Sequence, residues 1–400
     1  MKKNLFRSLF VASLLLFSSS LPAKDKNPDL RKMIDTGIGR AIVQYRAMAK
    51  VMDTIPGKLP KTILPDGTLQ VAKPTWWTSG FMPGVLWYLY EYSGDQSLRQ
   101  LARNYTQRVE CIKDYTGDHD IGFMLYCSFG NGYRIEKDPQ YKAVLLKGSE
   151  SLISRYKDQV GCIRSWDFGP WKYPVIIDNM MNLELLYWAG KNSDKKRFTE
   201  IADSHAQKTM KNHFRPDYSS YHVVSYEPKT GDVEKKNTSQ GLADSSAWAR
   251  GQAWGLYGYT VCYRETGNKI YLDHAKKIAG FILNHPRLPK DKIPYWDFDA
   301  PNIPNALRDA SAASIMASAL IELSQYVPRK QGKEYLDVAI TQLKNLTSPA
   351  YLATPGTNGN FLIKHGVGHM PAKSEIDVPL TYGDYYYVEA LMRLKKLKGY

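Results

Sequence analysis

Residues 92–102 read YSGDQSLRQLA, and the way this stretch recurs decides the fold. A Gly-Asp turn follows an apolar segment, and Leu98 is then followed four positions later by Ala102. A spacing of four puts both side chains on one helix face. The same arrangement returns in KNSDKKRFTEIA (191–202, Phe198 and Ala202), ETGNKIYLDHA (265–275, Tyr271 and Ala275) and RKQGKEYLDVA (329–339, Tyr335 and Ala339), and more loosely in KDPQYKAVL (137–145, Tyr141 and Leu145). Each copy reads as the second helix of a hairpin whose first helix precedes a Gly/Asp/Asn turn. The chain also begins and ends helically, with RKMIDTGIGRAIVQYRAMAKVM and YYYVEALMRLKKL.

Five internal copies plus the two ends make about six hairpins, which must stack to bury their faces. An open solenoid keeps a uniform period, whereas a closed ring lets the loops at one end grow unevenly. Positions 98, 141, 198, 271 and 335 are separated by 43, 57, 73 and 64 residues. That unevenness favours an all-α fold, an (α/α)6 barrel, formed as a single domain over residues 24–400. Strand-like alternation is confined to short pieces such as SSYHVVSYEP (219–228), which read as loop hairpins.

The first residues, MKKNLFRSLFVASLLLFSSSLPAKDKN, have a basic start, a short apolar segment and small residues up to Ala23. This is the pattern of a cleavable signal peptide over residues 1–23, too short for a membrane span. It predicts an exported protein, periplasmic if the source is a Gram-negative bacterium. No later stretch is apolar enough to span a membrane. The formal charge of +15 suits a polyanionic partner, although scattered lysines also simply solvate a surface. Nucleic acid is disfavoured by export and by the lack of any motif for it. Cys111, Cys127, Cys162 and Cys262 fit no metal-site spacing and read as buried free thiols.

Chemistry-bearing residues concentrate between the helices. In PVIIDNMMNLELLYWAG (174–190), Asp178 interrupts an apolar run, with Asn182 four residues on. A buried carboxylate without partners costs several kcal/mol or takes up a proton, so Asp178 either caps a helix or does chemistry. In DYTGDHDIGFMLYC, Asp118, His119 and Asp120 precede an apolar helix, more ionisable groups than a cap requires. TWWTSGFMPGVLWYLYEY offers Trp77, beside Trp76, as a ring that stacks on sugars, while Trp87 and Tyr88 read as core. From Tyr221 to Trp254, His222, Gln240, Asp244, Trp248, Arg250 and Gln252 supply hydrogen-bonding groups, a planar cation and an aromatic platform. ALRDASAASIMASAL carries Arg308 and Asp309 at the mouth of a closely packed helix.

Taken in order, WTSGFMPGVLWYLYEY, DHDIGF, IIDNMMNLELLYWA, SQGLADSSAWARGQAWGLYGY, RDASAASIMASAL and YGDYYYVEALMRL resemble the unsaturated glucuronyl hydrolases of glycoside hydrolase family 88. The resemblance spans nearly the whole chain after the leader. It implies the (α/α)6 barrel already read from the repeats, and removal of the 4,5-unsaturated uronic acid that polysaccharide lyases leave on acidic oligosaccharides. It further implies Asp178 as the general acid that also activates water, and Asp120 as its partner. His119, Trp77, His222, Gln240, Trp248 and Arg250 would lie around the substrate, with Arg250 on the uronate carboxylate. No metal or organic cofactor is implied, because the substrate's enol ether supplies the activation. A monomer or weak dimer is expected.

Two other readings stand beside this one. A sister family of unsaturated rhamnogalacturonyl hydrolases acts on pectin fragments with the same ring, but the His119–Asp120 pair resembles the glucuronyl branch. A noncatalytic binding protein for acidic oligosaccharides would make Asp120 and Asp178 dispensable.

Overall fold

A computed structural model describes residues 27–400; the leader expected over residues 1–23 lies outside the described residues. Helices alternate between an outer and an inner ring. In chain order they are outer α1 (Pro28–Met52), inner α2 (Phe81–Ser93), outer α3 (Gln96–Gln107), inner α4 (Ile121–Leu125) and α5 (Asn131–Glu136), and outer α6 (Pro139–Ile153). Inner α7 (Leu183–Asn192), outer α8 (Arg197–Asn212), inner α9 (Ala249–Thr266), outer α10 (Lys269–Asn284), inner α11 (Ala310–Leu323), outer α12 (Arg329–Leu346) and inner α13 (Thr381–Lys398) complete the series. A wide helical turn at Tyr126–Gly130 joins α4 to α5, so the two occupy one inner position. The fold is the (α/α)6 barrel.

The repeat motif has a local physical cause. Gly94 and Gly267 take left-handed conformations (φ +69° and +70°) that end α2 and α9, and the next residues, Asp95 and Asn268, accept hydrogen bonds from Ser97 N–H and Ile270 N–H to start α3 and α10. The repeat positions Leu98, Tyr141, Phe198, Tyr271 and Tyr335 are all buried on outer helices. The inner helix α11 is covered on every side, with all of Ala310–Leu323 buried, whereas the outer α3 buries only Leu98, Ala102, Tyr105 and Thr106. The sixth hairpin is not contiguous in sequence. The first helix, α1, packs on the last, α13, where Gly37 leaves room for Tyr387 and Leu391 and Tyr45 donates its hydroxyl to Asp384 (3.1 Å).

Inner-to-outer connections are short and outer-to-inner ones long, so the loops gather at the N-terminal ends of the inner helices. They contain β1 (Leu59–Ile63) with β2 (Leu69–Ala72), β3 (Tyr156–Lys157) with β4 (Cys162–Ile163), β5 (Pro174–Ile176), β6 (Val223–Tyr226), β7 (Val233–Asn237), and β8 (Gly366–His369) with β9 (Ser374–Val378). The hairpin expected at 219–228 is part of a three-stranded sheet in the order β5-β6-β7. β5 delivers the chain directly into Asp178. The four cysteines are unbridged; Cys127, Cys162 and Cys262 are buried, but Cys111 is exposed, contrary to the expectation for it, because it sits on an outer turn after α3.

Candidate active site

Every inner helix brings a chemistry-bearing residue to the loop end. Trp77 precedes α2; His119 and Asp120 enter α4; Asp178 precedes α7; Trp248 and Arg250 open α9; Asp309 caps α11; and Tyr382 lies in the first turn of α13. The N-termini of the longer inner helices converge on this end, and their dipoles favour an anionic ligand there.

Asp178 lies in a turn of 3-10 helix, Ile177–Met181, and its side chain caps nothing. It is 9% exposed, and burial pushes its carboxyl up to about 7, with the charge of Arg250 the largest of the effects that partly offset the rise. Its Oδ2 has no hydrogen-bond partner and faces His222 Nε2 at 3.6 Å. His222 Nδ1 accepts from the backbone N–H groups of Ser239 (3.0 Å) and Gln240 (3.1 Å), so the neutral ring carries its proton on Nε2, toward Asp178. Burial, followed by the charge of Arg250, holds the His222 pKa well below its ordinary value.

Asp120 occupies the N-cap position of α4 without making a capping bond. Its pKa is pushed well up, first by burial, then by the charges of Asp118 and Asp178. Asn182 fixes it. The Asn182 amide donates to Asp120 Oδ1 (3.3 Å), and its Oδ1 accepts from Phe123 N–H (2.9 Å). This clamp requires Gly122, where a Cβ would lie 2.5 Å from Asn182 Cα. His119 Nε2 is 3.4 Å from Asp120 Oδ1, and burial lowers its pKa to about 3, so the ring is neutral. Asp118 accepts from Asp120 N–H (2.8 Å) and Tyr115 OH (3.1 Å), which shapes the turn.

Trp248 packs its ring 4.6 Å from that of His222 and carries the Arg250 guanidinium 4.5 Å above it. Arg250 is itself fully buried. Its Nη atoms bond Asp309 (2.9 Å) and the carbonyls of Val367 and Gly368, leaving only Nε without a partner. The same Gly368 carbonyl accepts from Gln240 Nε2 (3.0 Å), so Gln240 and Arg250 together tie β8 to the site. Trp77 is half-buried among Phe81, Phe123 and Tyr382. Gln252 is turned away and holds Ser220 and Tyr218, Asp244 closes a turn through Thr238 N–H, and Arg308 pairs with Asp291.

Sequence reasoning placed Asp309 at the mouth of a helix without assigning it a partner, and gave Trp254 and Tyr382 no role in the site. Trp254 and Tyr382 lie within helices, where the sequence does not show which face meets the site, and the pairing of Asp309 with Arg250 crosses 59 residues of chain.

Two other carboxyls, Glu184 and Asp384, are also raised to about 7 by burial. Both have partners: Glu184 bonds Arg264, and Asp384 accepts from Leu362 N–H, Ile363 N–H and Tyr45 OH. A cavity of about 1180 Å³ enters the opposite end of the ring, where buried charges are similarly paired, as in Arg393 with Glu322 and Glu389. At the loop end the buried Asp178 Oδ2, His222 Nε2, His119 Nδ1, Arg250 Nε, Trp254 Nε1 and Tyr382 OH have no partner. Native chains rarely leave such atoms unsatisfied, so the loop end, and not the cavity at the opposite end, is the place for a polar ligand. Among the described residues no group of three or more His, Cys, Asp or Glu is placed to hold a metal, and no helix is long and apolar enough to cross a membrane.

The chain resembles known proteins over most of its length. An unsaturated glucuronyl hydrolase of Formosa agariphila is 49% identical over 324 residues, covering 80% of each chain. An unsaturated chondroitin disaccharide hydrolase of Streptococcus pyogenes serotype M1 is 33% identical, covering 86% of this chain and 88% of its own. The crystal structure of an unsaturated glucuronyl hydrolase specific for heparin superposes with a TM-score of 0.90 at 50% identity, over 92% of this chain and 98% of that one. The model of Glycosyl Hydrolase Family 88 matches residues 47–396. The chain belongs to that family and is a glycoside hydrolase.

Proposed function

We propose that the protein removes the 4,5-unsaturated uronic acid from the nonreducing end of lyase-generated glycosaminoglycan fragments, with Asp178 as general acid. The observation that carries this reading is a buried carboxyl held at about 7 with an unpaired oxygen, beside a second raised carboxyl, Asp120. A catalytic acid works best with a pKa near the operating pH. Asp178 delivers its proton to C4 of the enol ether, positive charge develops at C5 and the ring oxygen, and ionised Asp178 then takes a proton from the water that adds at C5. The hemiketal so formed opens and releases the remaining sugar.

His222, with its proton on Nε2, donates toward Asp178 as the carboxylate forms. Asp120, held by Asn182, is the second carboxyl of the site, its own pKa raised first by burial and then by the charges of Asp118 and Asp178, while burial favours the protonated form of Asp178 between turnovers. Trp248 and Trp77 flank the sugar, and Gln240 and His119 bond its polar edge. Arg250 acts through its charge and its unpaired Nε, because its Nη atoms are already engaged. Heparin fragments are the first substrates to test, given the 50% identity to a heparin-specific hydrolase, with chondroitin disaccharides next. We also propose that residues 1–23 are a leader that delivers a monomer or weak dimer to the periplasm, on the strength of their basic, apolar and small-residue order.

The test follows the ultraviolet absorbance of the conjugated double bond with unsaturated disaccharides from heparin, chondroitin, hyaluronan and pectin. Loss of absorbance on a glycosaminoglycan product, abolished in Asp178→Asn, is expected. Consumption of the pectin product alone would transfer the protein to the rhamnogalacturonyl reading, and no consumption with intact binding would make it a carrier.

A further inference from the structure

Residues 164–173, RSWDFGPWKY, form a loop between β4 and β5 whose aromatic residues the catalytic reading does not use. Phe168 is 69% exposed. It is not a loose side chain. Its ring lies parallel to Trp166, with centroids 5.2 Å apart and planes 14° from each other. Trp171 meets Trp166 edge-on at 5.6 Å and is tied to β7 by a bond from its indole N–H to Asn237. Trp166 in turn lies 6.4 Å from the ring of His222, the residue that faces Asp178. The tight turn is set by Gly169 at φ +81°, where a Cβ would strike the Trp171 ring at 2.7 Å.

The three rings therefore make a braced strip that starts beside His222 and ends at the surface with one open phenyl face. A ring fixed before binding loses little rotamer freedom when a ligand stacks on it. Stacking the apolar face of a pyranose on such a ring is the recognition chemistry that acidic oligosaccharides leave available once their charged groups are satisfied elsewhere. The depth of the strip decides which sugar it serves. The uronate ring belongs at Asp178, the leaving sugar lies next to it, and the open face of Phe168 is outward of both because Trp166 stands between Phe168 and His222.

We infer that Phe168 is a stacking subsite for the sugar beyond the leaving residue, so that the protein prefers unsaturated tetrasaccharides to disaccharides. This inference rests on the hydrolase reading and extends it to chain length. On this placement the leaving sugar of a disaccharide stops short of Phe168.

The experiment compares KM and kcat for unsaturated disaccharide and tetrasaccharide made by one lyase from one glycosaminoglycan, in the full-length wild type, Phe168→Ala and Phe168→Trp. The wild type is expected to show a KM roughly five- to tenfold lower for the tetrasaccharide, the range that one aromatic contact supports. In Phe168→Ala that ratio should collapse toward one, with the ratio of the two kcat values unchanged, and Phe168→Trp should restore it. A wild type without a length preference, or an alanine variant that keeps it, would overturn the inference. Collapse of kcat for both lengths in Phe168→Ala would also overturn it, since that marks a structural loop residue. If the wild type cleaves neither length, the hydrolase reading fails first and the inference with it.

Discussion

Replacing Asp178 by Asn should abolish activity while making the protein more stable, by an amount that depends on pH. Burial raises the Asp178 pKa from 3.8 to about 7. An acid whose pKa is higher in the folded than in the unfolded chain holds its proton more tightly when folded. Stability therefore falls as pH rises through the window between the two values, from about 4 to about 7, and the full loss persists above it. At ~1.4 kcal/mol per unit, the ionised carboxylate costs about 2 kcal/mol at pH 5 and about 4 kcal/mol at pH 8. Asn cannot ionise, so the variant recovers those amounts. With an unfolding entropy of about 2 cal/mol/K per residue, melting should rise by about 2 °C at pH 5 and about 5 °C at pH 8. The assay is thermal unfolding of both proteins across that range, followed by circular dichroism. A variant whose advantage does not grow with pH, or which is less stable than the wild type at pH 8, would refute the claim that a desolvated, unpartnered carboxyl is kept here for chemistry.

Three further outcomes follow from the same geometry. The wild-type kcat/KM should fall about tenfold per pH unit above about pH 7 as Asp178 loses its proton, which a pH–rate profile on the preferred disaccharide measures. Gly122→Ala would place a Cβ 2.6 Å from Asn182 Oδ1 and break the clamp on Asp120; kcat should drop with a destabilisation of about 1–3 kcal/mol, read by steady-state kinetics and urea unfolding. Arg250→Met should strand the buried Asp309 carboxylate and destabilise by about 3–5 kcal/mol. Adding Asp309→Asn should recover part of that stability in urea unfolding without restoring kcat/KM.

How much of this was legible differs between fold and site. The six-hairpin ring was readable because its signals are local. A glycine ends one helix, an Asp or Asn starts the next, and an aromatic or Leu four residues before Ala, Leu98 with Ala102 for instance, marks the buried face. Those interactions span a few residues and leave a pattern in the chain. The suspicion about Asp178 was equally local, because a carboxylate among Ile and Met is anomalous wherever the chain goes.

By itself, then, the sequence determined the helical period, the approximate number of hairpins and the one carboxylate, Asp178, that does not belong in an apolar run. Tertiary structure alone decided who meets whom. Asn182 reaches Asp120 across 62 residues, His222 reaches Asp178 across a sheet, and Arg250 turns its Nη atoms away from solvent to Asp309 and the β8 carbonyls. It also closed the ring with the first and last helices, α1 against α13. The reason is physical: capping and helix periodicity act within one or two turns of backbone, whereas desolvation, charge coupling and the pairing of buried polar atoms depend on distances through space. A pKa near 7 belongs to the packed site and cannot be read from the residues that share its stretch of chain.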